Sequence, residues 1–414
     1  MKNEILDNLD KPQELEKLYR GNKPGFRQEF NNLYPQLSES TTAHFWNARL
    51  NFQEKEINWG AGRDLLFVIL AVLLAGTLAR VPLFSPVSED FFYPRNIGFI
   101  VFPWLAVYFA RKNSLSVRKM VVVGGLFLVA VLYINLLPDN PKSDTLVLAC
   151  LHLLLFLWSV LAVSFVGGQF SASDNRLNFL RYNGDLIVVC ALLGIAGVLM
   201  SGITIGLFSL INLKIEEFYF QNIAIYGLAA LPIVGTYLTQ TNPQLVNRIS
   251  PLIARLFSPL VLVMLLVYLT AILYTGKDPY NDREFLLIFN ALLVGVMALI
   301  FFSVAEGARA SRNRAEIVVL FLLSMITIIV NGIALSAILF RITEWGLTPN
   351  RAAVLGGNIL ILINLLLIAG TLVRVLTRNA SLSDVGKAIT AYLPVYWVWA
   401  ALVTFLFPLL FGFR

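Results

Sequence analysis

The sequence predicts an all-α protein, a polytopic transmembrane helical bundle of about eleven spans preceded by a small helical N-terminal cytoplasmic segment. Three observations carry this expectation. Hydrophobic residues make up 57% of the chain and charged ones 14%, against about 45–50% and about 25% in an ordinary soluble domain. The apolar residues come in long runs that repeat along the chain, and Lys and Arg gather in the short polar stretches between them. A soluble fold of this composition would expose more contiguous apolar surface than water tolerates.

Residues 1–60 are a different material, with no long apolar run and nearly balanced charge. Asp10 before Pro12, with Glu14 and Glu16, marks a helix start and Gly21 a stop. Leu15, Leu18 and Tyr19, at i, i+3 and i+4, give that helix one apolar stripe. A second helix is expected from Pro24 to about Tyr34, carrying Phe26, Phe30 and Leu33. A third runs from Ser40 or Thr41 towards Glu54, with Phe45, Trp46, Leu50 and Phe52. The segment is too small for much core of its own. Three roles stay open for it: packing on the membrane domain, lying at the interface, or binding a protein partner. The first apolar run begins near Leu65, too late for a cleaved leader, so the segment reads as retained.

The domain from 61 to 414 holds the spans, each needing about 20 apolar residues. They are expected near 65–84, 95–111, 119–138, 145–167, 185–208, 220–239, 257–275, 285–305, 316–340, 352–374 and 390–412. Pro94 and Pro103 interrupt the second, which is short and reads as a span or a re-entrant segment. Gly194, Gly197, Gly202 and Gly206 make the fifth a tilted helix or one broken near Gly202. With the N-terminus inside, the inner loops carry fourteen Lys and Arg, among them Arg111, Lys112, Arg181, Arg255 and Arg374. The outer segments carry nine, among them Arg80, Arg95, Lys142 and Lys214. This bias orients the chain in a bacterial inner membrane with its C-terminus periplasmic. Trp59, Trp345, Trp397, Trp399, Tyr219, Tyr274 and Tyr392 fall near expected ends, as interfacial belts require. No internal repeat is legible.

The net charge of +7 is absorbed by this orientation. No basic stripe interleaves with aromatics, which excludes nucleic-acid binding. Cys150 and Cys190 lie inside apolar runs and form neither a disulfide framework nor a metal motif. HExxH, GxSxG and GxxxxGK[ST] are missing, so no catalytic residue, metal site or cofactor is expected. His152, alone in a span, reads as a proton relay, a ligand or, preferentially, a side chain that makes one interhelical hydrogen bond. Asp185, Glu306 near Arg309, and Arg374 sit at span ends, either snorkelling or opening a polar cavity.

Mid-span amides and glycines form a further group: Asn290 and Gly295, Asn331 and Gly332, then Gly356, Gly357, Asn358 and Asn364. They serve as packing glue between helices or as the lining of a path. Between them lies the run Arg341–Arg351. Gly346 ends one helix, Thr348 caps the next and Pro349 takes its first position. Glu344 between Arg341 and Arg351 reads as an ion-pair cluster, in a capped hairpin, in a gate, or in a binding site for an anionic group. The candidate polar pathway is therefore Asn290, Asn331, Asn358, Asn364, Arg341, Glu344 and Arg351.

That run, R-I-x-x-x-G-L-T-x-x-R between two long apolar spans, resembles bacterial membrane proteins of the domain-of-unknown-function 4153 type and their 4173 relatives. The stretch Pro12–Arg20 (P-Q-E-L-E-K-L-Y-R), followed by Phe45–Leu50 (F-W-N-A-R-L), resembles leader segments of Bacteroidota members. The resemblance implies a polytopic membrane fold from the first span to the last, and no catalytic residue, substrate or cofactor. The function expected first is permease-like transport. The alternative is a non-catalytic signalling or assembly component whose residues 1–60 bind a partner. A membrane enzyme acting on lipid-linked substrates comes last, because clustered intramembrane His, Asp and Glu are missing.

Overall fold

The computed structural model describes residues 2–37, 40–50, 62–169, 172–210, 213–275, 283–307 and 314–413, and all of their regular structure is helical. The chain divides into two units, Met1–Trp59 and Gly60–Arg414.

The first unit holds α1 (Lys2–Asp7), α2 (Pro12–Gly21), α3 (Lys23–Leu33) and α4 (Thr41–Leu50). Pro12 opens α2 at a position whose N–H would have no partner anyway. Asn22 caps α3 by accepting from the Gly25 N–H at 3.0 Å. Helix α1 is an addition to the sequence-based expectation, and Phe52, Glu54 and Trp59 lie outside the described residues.

This unit corrects one expectation, because it does have a core. Ile5, Leu15, Phe26, Phe30, Leu33, Ala43, Trp46 and Leu50 are buried together. Aromatic rings explain how so short a segment manages it, since each removes a large area from water. The Trp46 ring sits 5.2 Å from Phe26, 5.7 Å from Tyr19 and 6.5 Å from Phe30. Phe45 stays out, 63% exposed. On the surface, Arg20 and Arg49 both bond the Glu16 carboxylate. Arg20 first, then Arg49, holds that carboxyl below its ordinary value.

The second unit is a bundle. It begins with α5 (Gly62–Ala79), a single turn α6 (Val81–Phe84), α7 (Glu89–Lys112), α8 (Val117–Leu136), α9 (Asp144–Phe165) and α10 (Ser173–Leu210). A short α11 (Glu216–Tyr219) leads through a π-turn into α12 (Ile225–Thr241). Then come α13 (Pro243–Thr275), α14 (Arg283–Gly307), α15 (Arg314–Trp345), α16 (Pro349–Leu376) and α17 (Leu382–Ala401). A second π-turn joins α17 to α18 (Phe407–Leu410). Among the described residues, ten helical segments are long and apolar enough to cross a membrane, α11–α12 and α17–α18 each counting as one.

The expected count was about eleven, and the difference is α7. Its Pro94, Arg95, Asn96 and Pro103 dilute its apolar character, so composition alone does not mark it as a span. Yet it is one continuous helix of 24 residues, about 36 Å long at the usual rise. Asn96, near its start, exchanges two amide hydrogen bonds with Asn135 at the end of α8, at 2.9 and 2.8 Å. Asn113, just past its end, donates to the last carbonyls of α9. Helix α7 therefore runs the full length of α8 and α9, and is not a re-entrant segment. Its backbone passes Pro103 because neighbouring helices pack around it.

Cross-links of this kind fix the direction of every long helix. Thr77 meets Tyr226 and Arg80 meets Asn222, which sets α5 antiparallel to α12. Ser258 meets Ser303, Asn364 meets Tyr396, and Tyr133 meets the Phe405 carbonyl. Among the described residues, eleven long helices, α5, α7 to α10 and α12 to α17, follow one another through the bundle. The start of α5, the end of α9 and the start of α10 share one end of the bundle. The starts of α9 and α16 share the other.

Packing follows bilayer logic rather than soluble logic. Helix α5 turns small residues inward, Ala71, Ala75, Gly76 and Ala79, and leaves Leu66, Ile69, Leu70, Leu73 and Leu74 exposed. Lipid offers leucine what a soluble core would, so helices associate through close backbone approach instead. The buried side chains form two large apolar clusters. One centres on α5, α7, α8, α9 and α12 and the other on α13 to α17. Trp158 and Trp397 touch both.

Other expectations change here too. Helix α10 continues unbroken past Gly202. The last span starts at Leu382 rather than 390, so Trp397 and Trp399 lie inside it and not in a belt. Trp397 faces Trp158 at 6.5 Å. Trp399 packs over Gly356, where an added Cβ would strike its six-membered ring, whereas Gly357 faces open space. Gly356→Ala is therefore expected to destabilise the bundle by about 1–3 kcal/mol. Gly357→Ala should be neutral or stabilising by up to about 1 kcal/mol. Thermal unfolding of the two variants in detergent measures the contrast.

Candidate functional site

The seven residues of the expected pathway do not form one lining. Asn331, midway along α15, and Asn358 of α16 meet: the Asn331 side chain donates to the Asn358 carbonyl at 3.1 Å. Both are almost fully buried. Asn364, further along α16, donates to the Tyr396 hydroxyl of α17 at 3.1 Å. Asn290 sits in α14. The apolar side chains of α14, α15 and α16 close around these amides in one cluster.

Among the described residues, Asn331 Oδ1, Asn358 Nδ2 and Asn364 Oδ1 lack hydrogen-bond partners. Such atoms are rare in native interiors and each needs a reason.

The Arg341–Arg351 hairpin is capped as the sequence implied. Gly346 adopts φ +77°, and the Thr348 hydroxyl accepts from the Arg351 N–H at 3.3 Å. The expected ion-pair cluster is replaced by another arrangement. Glu344 is exposed and has no ion pair among the described residues. Arg351 instead donates to the Trp345 and Gly346 carbonyls at 2.8 and 2.6 Å, capping the end of α15. Arg341 and Arg351 both lie against the Trp345 ring, at 5.5 and 5.6 Å. Carbonyls freed at a helix end attract a guanidinium, and an indole face holds two without a carboxylate.

Elsewhere the lone histidine loses its expected role. His152 bonds the Leu148 carbonyl one turn back in its own helix, at 2.9 Å. Glu306 pairs with Arg181 of α10, 125 positions away, at 3.0 Å, and both are buried; Arg309 lies outside the described residues. Arg181 also donates to the Ala305 carbonyl and to Asn178. Sequence reasoning missed this pair. Its one available signal was that two opposite charges at span ends fall at the same end of the bundle.

Two clefts stand out. In the first unit, one of about 730 Å³ is lined by Glu16, Lys17, Arg20, Phe45, Trp46 and Arg49 among others. Its charges pair among themselves or with Glu14. Phe26, Phe30 and Trp46 are core, and of these four aromatic side chains Phe45 is the exposed one. In the bundle, a cleft of about 380 Å³ lies where α7, α9 and α12 end and α10 begins.

Comparison with protein-family models, curated proteins and solved structures returned no match. The chain is a polytopic membrane protein, and its function is argued from these residues alone.

Proposed function

We propose that the bundle is a permease-like protein of the bacterial inner membrane, with the seam between α15, α16 and α17 as its polar way across. The observation behind this reading is the set of unpaired atoms on Asn331, Asn358 and Asn364 at mid-depth. An unpaired buried polar atom costs about 1–3 kcal/mol. A bundle that needed these amides only as glue would satisfy them. Water or a polar solute entering the seam supplies the missing partners. The π-turn at Leu402–Leu406 and Pro394 in α17 give the wall of that seam the local give such entry needs.

The orientation follows from charge. The excess of Lys and Arg at the end where α5 starts faces the cytosol, and eleven end-to-end helices bring α18 to the periplasmic side. The resemblance of the Arg341–Arg351 hairpin to the 4153-type proteins stays a proposal of kinship beside this reading.

Side-directed labelling tests the path without knowing a solute. In a Cys150→Ala/Cys190→Ala background, Asn358→Cys is expected to react with a small water-soluble thiosulfonate. It should do so at least about tenfold faster than the lipid-facing Ile359→Cys, because the reacting species is the hydrated thiolate. Equal, slow reaction at both positions rules out the seam as a path.

A further inference from the structure

The cleft at the end of α9 goes beyond the permease reading and stands apart from its seam. Its wall consists of Phe109 and Asn113 from the end of α7, Phe165, Val166 and Gly167 from the end of α9, Gln169, Asn175 and Asn178 from the start of α10, and Gln240 from α12. Five carboxamides line it and no charged side chain does.

The surroundings set what each amide offers. Lys112 donates to Gln240 Oε1 at 2.7 Å, and Arg181 donates to Asn178 Oδ1 at 3.1 Å. With those oxygens taken, the NH₂ groups of Gln240 and Asn178 are what remain. Asn113 is the reverse: its NH₂ donates to the Ser164 and Phe165 carbonyls at 3.2 and 2.6 Å, so its oxygen remains. Gln169 and Asn175 have no partner among the described residues and keep both ends. The cleft thus presents donors and acceptors interleaved. Hydroxyl groups match such a wall, because each both donates and accepts.

An anion matches it poorly. Lys112 is tied to Gln240, and Lys119 reaches the Gly167 carbonyl. Glu306 answers the charge of Arg181, and at the start of α10 Asp174 stands beside Arg176. A charged group here would be desolvated with no counter-ion in the wall. The Phe109 and Phe165 rings, 4.8 Å apart, add an apolar edge of the kind the C–H face of a sugar packs on. The volume of about 380 Å³ sits in the lower part of the range for small-molecule sites, about 300–1,000 Å³.

We propose that this cleft binds a neutral polyhydroxylated group, a glycosyl or polyol unit, carried either by a free solute or by a lipid headgroup.

The test uses the full chain in phosphatidylcholine nanodiscs, free of sugar detergents. Maltose and inorganic phosphate are titrated calorimetrically, and monoglucosyl-diacylglycerol binding is read by native mass spectrometry. Saturable binding of maltose identifies a free solute. Binding of the glycolipid without maltose identifies a headgroup. In either case the Gln169→Ala/Asn175→Ala variant, whose lost side chains hold no hydrogen bond among the described residues, is expected to bind at least about tenfold more weakly. Saturable binding of phosphate alone, no saturable binding of either sugar probe, or an unchanged affinity in the double variant would overturn the proposal.

Discussion

Glu306→Ala is expected to destabilise the bundle by about 3–5 kcal/mol, because it takes the Glu306 carboxylate away from the buried Arg181 guanidinium. Arg181 is only 6% exposed, so water offers it little. It also donates to the Ala305 carbonyl and to Asn178, both neutral groups. The double variant Arg181→Met/Glu306→Leu is expected to recover most of the loss. Replacing both partners of a buried pair with well-packed apolar groups is often neutral or better. Chemical unfolding followed by tryptophan fluorescence in one detergent compares the three proteins. A single variant within about 1 kcal/mol of wild type would mean that solvent already reaches the pair.

Trp46→Ala is expected to unfold the first unit. Removing a fully packed tryptophan costs about 3–5 kcal/mol, and a unit with eight buried hydrophobic residues at its core has little more than that in hand. Trp46 lies 4.6 Å beneath the Arg49 guanidinium and contacts three other rings. Phe45→Ala, one residue away but exposed, should change stability by less than about 0.5 kcal/mol. Hydrogen exchange over residues 2–50 in the full chain reports both. Rapid exchange in Trp46→Ala with slow exchange retained in α9 separates loss of this unit from global unfolding. Persisting protection would mean the aromatic cluster is not what holds α2, α3 and α4 together.

The seven amides and charges singled out for a pathway show where sequence reading stops. Asn331 and Asn358 meet because α15 and α16 form a tight hairpin whose capping residues, Gly346, Thr348 and Pro349, are adjacent in sequence. That meeting was close to legible. The Arg181–Glu306 pair was not, because its partners come from helices separated by three others in the chain. The same holds for the amide-lined cleft, which needs the ends of α7, α9 and α12 and the start of α10 at once. Trp397 and Trp399 were misplaced for a milder reason. Hydropathy blurs a span whose first turns are polar, and α17 begins with Ser383, Asp384 and Lys387.

The sequence by itself determined the solvent. Runs of apolar residues about 20 long read as a property of composition, so the spans, their approximate ends and helices α2, α3 and α4 follow from local pattern. It also determined which glycines and amides were unusual for their depth. Only the tertiary structure decided which of them meet, Gly356 against Trp399 but not Gly357, and Asn331 with Asn358. In a bilayer every helix exterior is equally oily, so hydrophobicity does not choose neighbours. Close approach and a few buried polar contacts do, and these exist only once the helices have met.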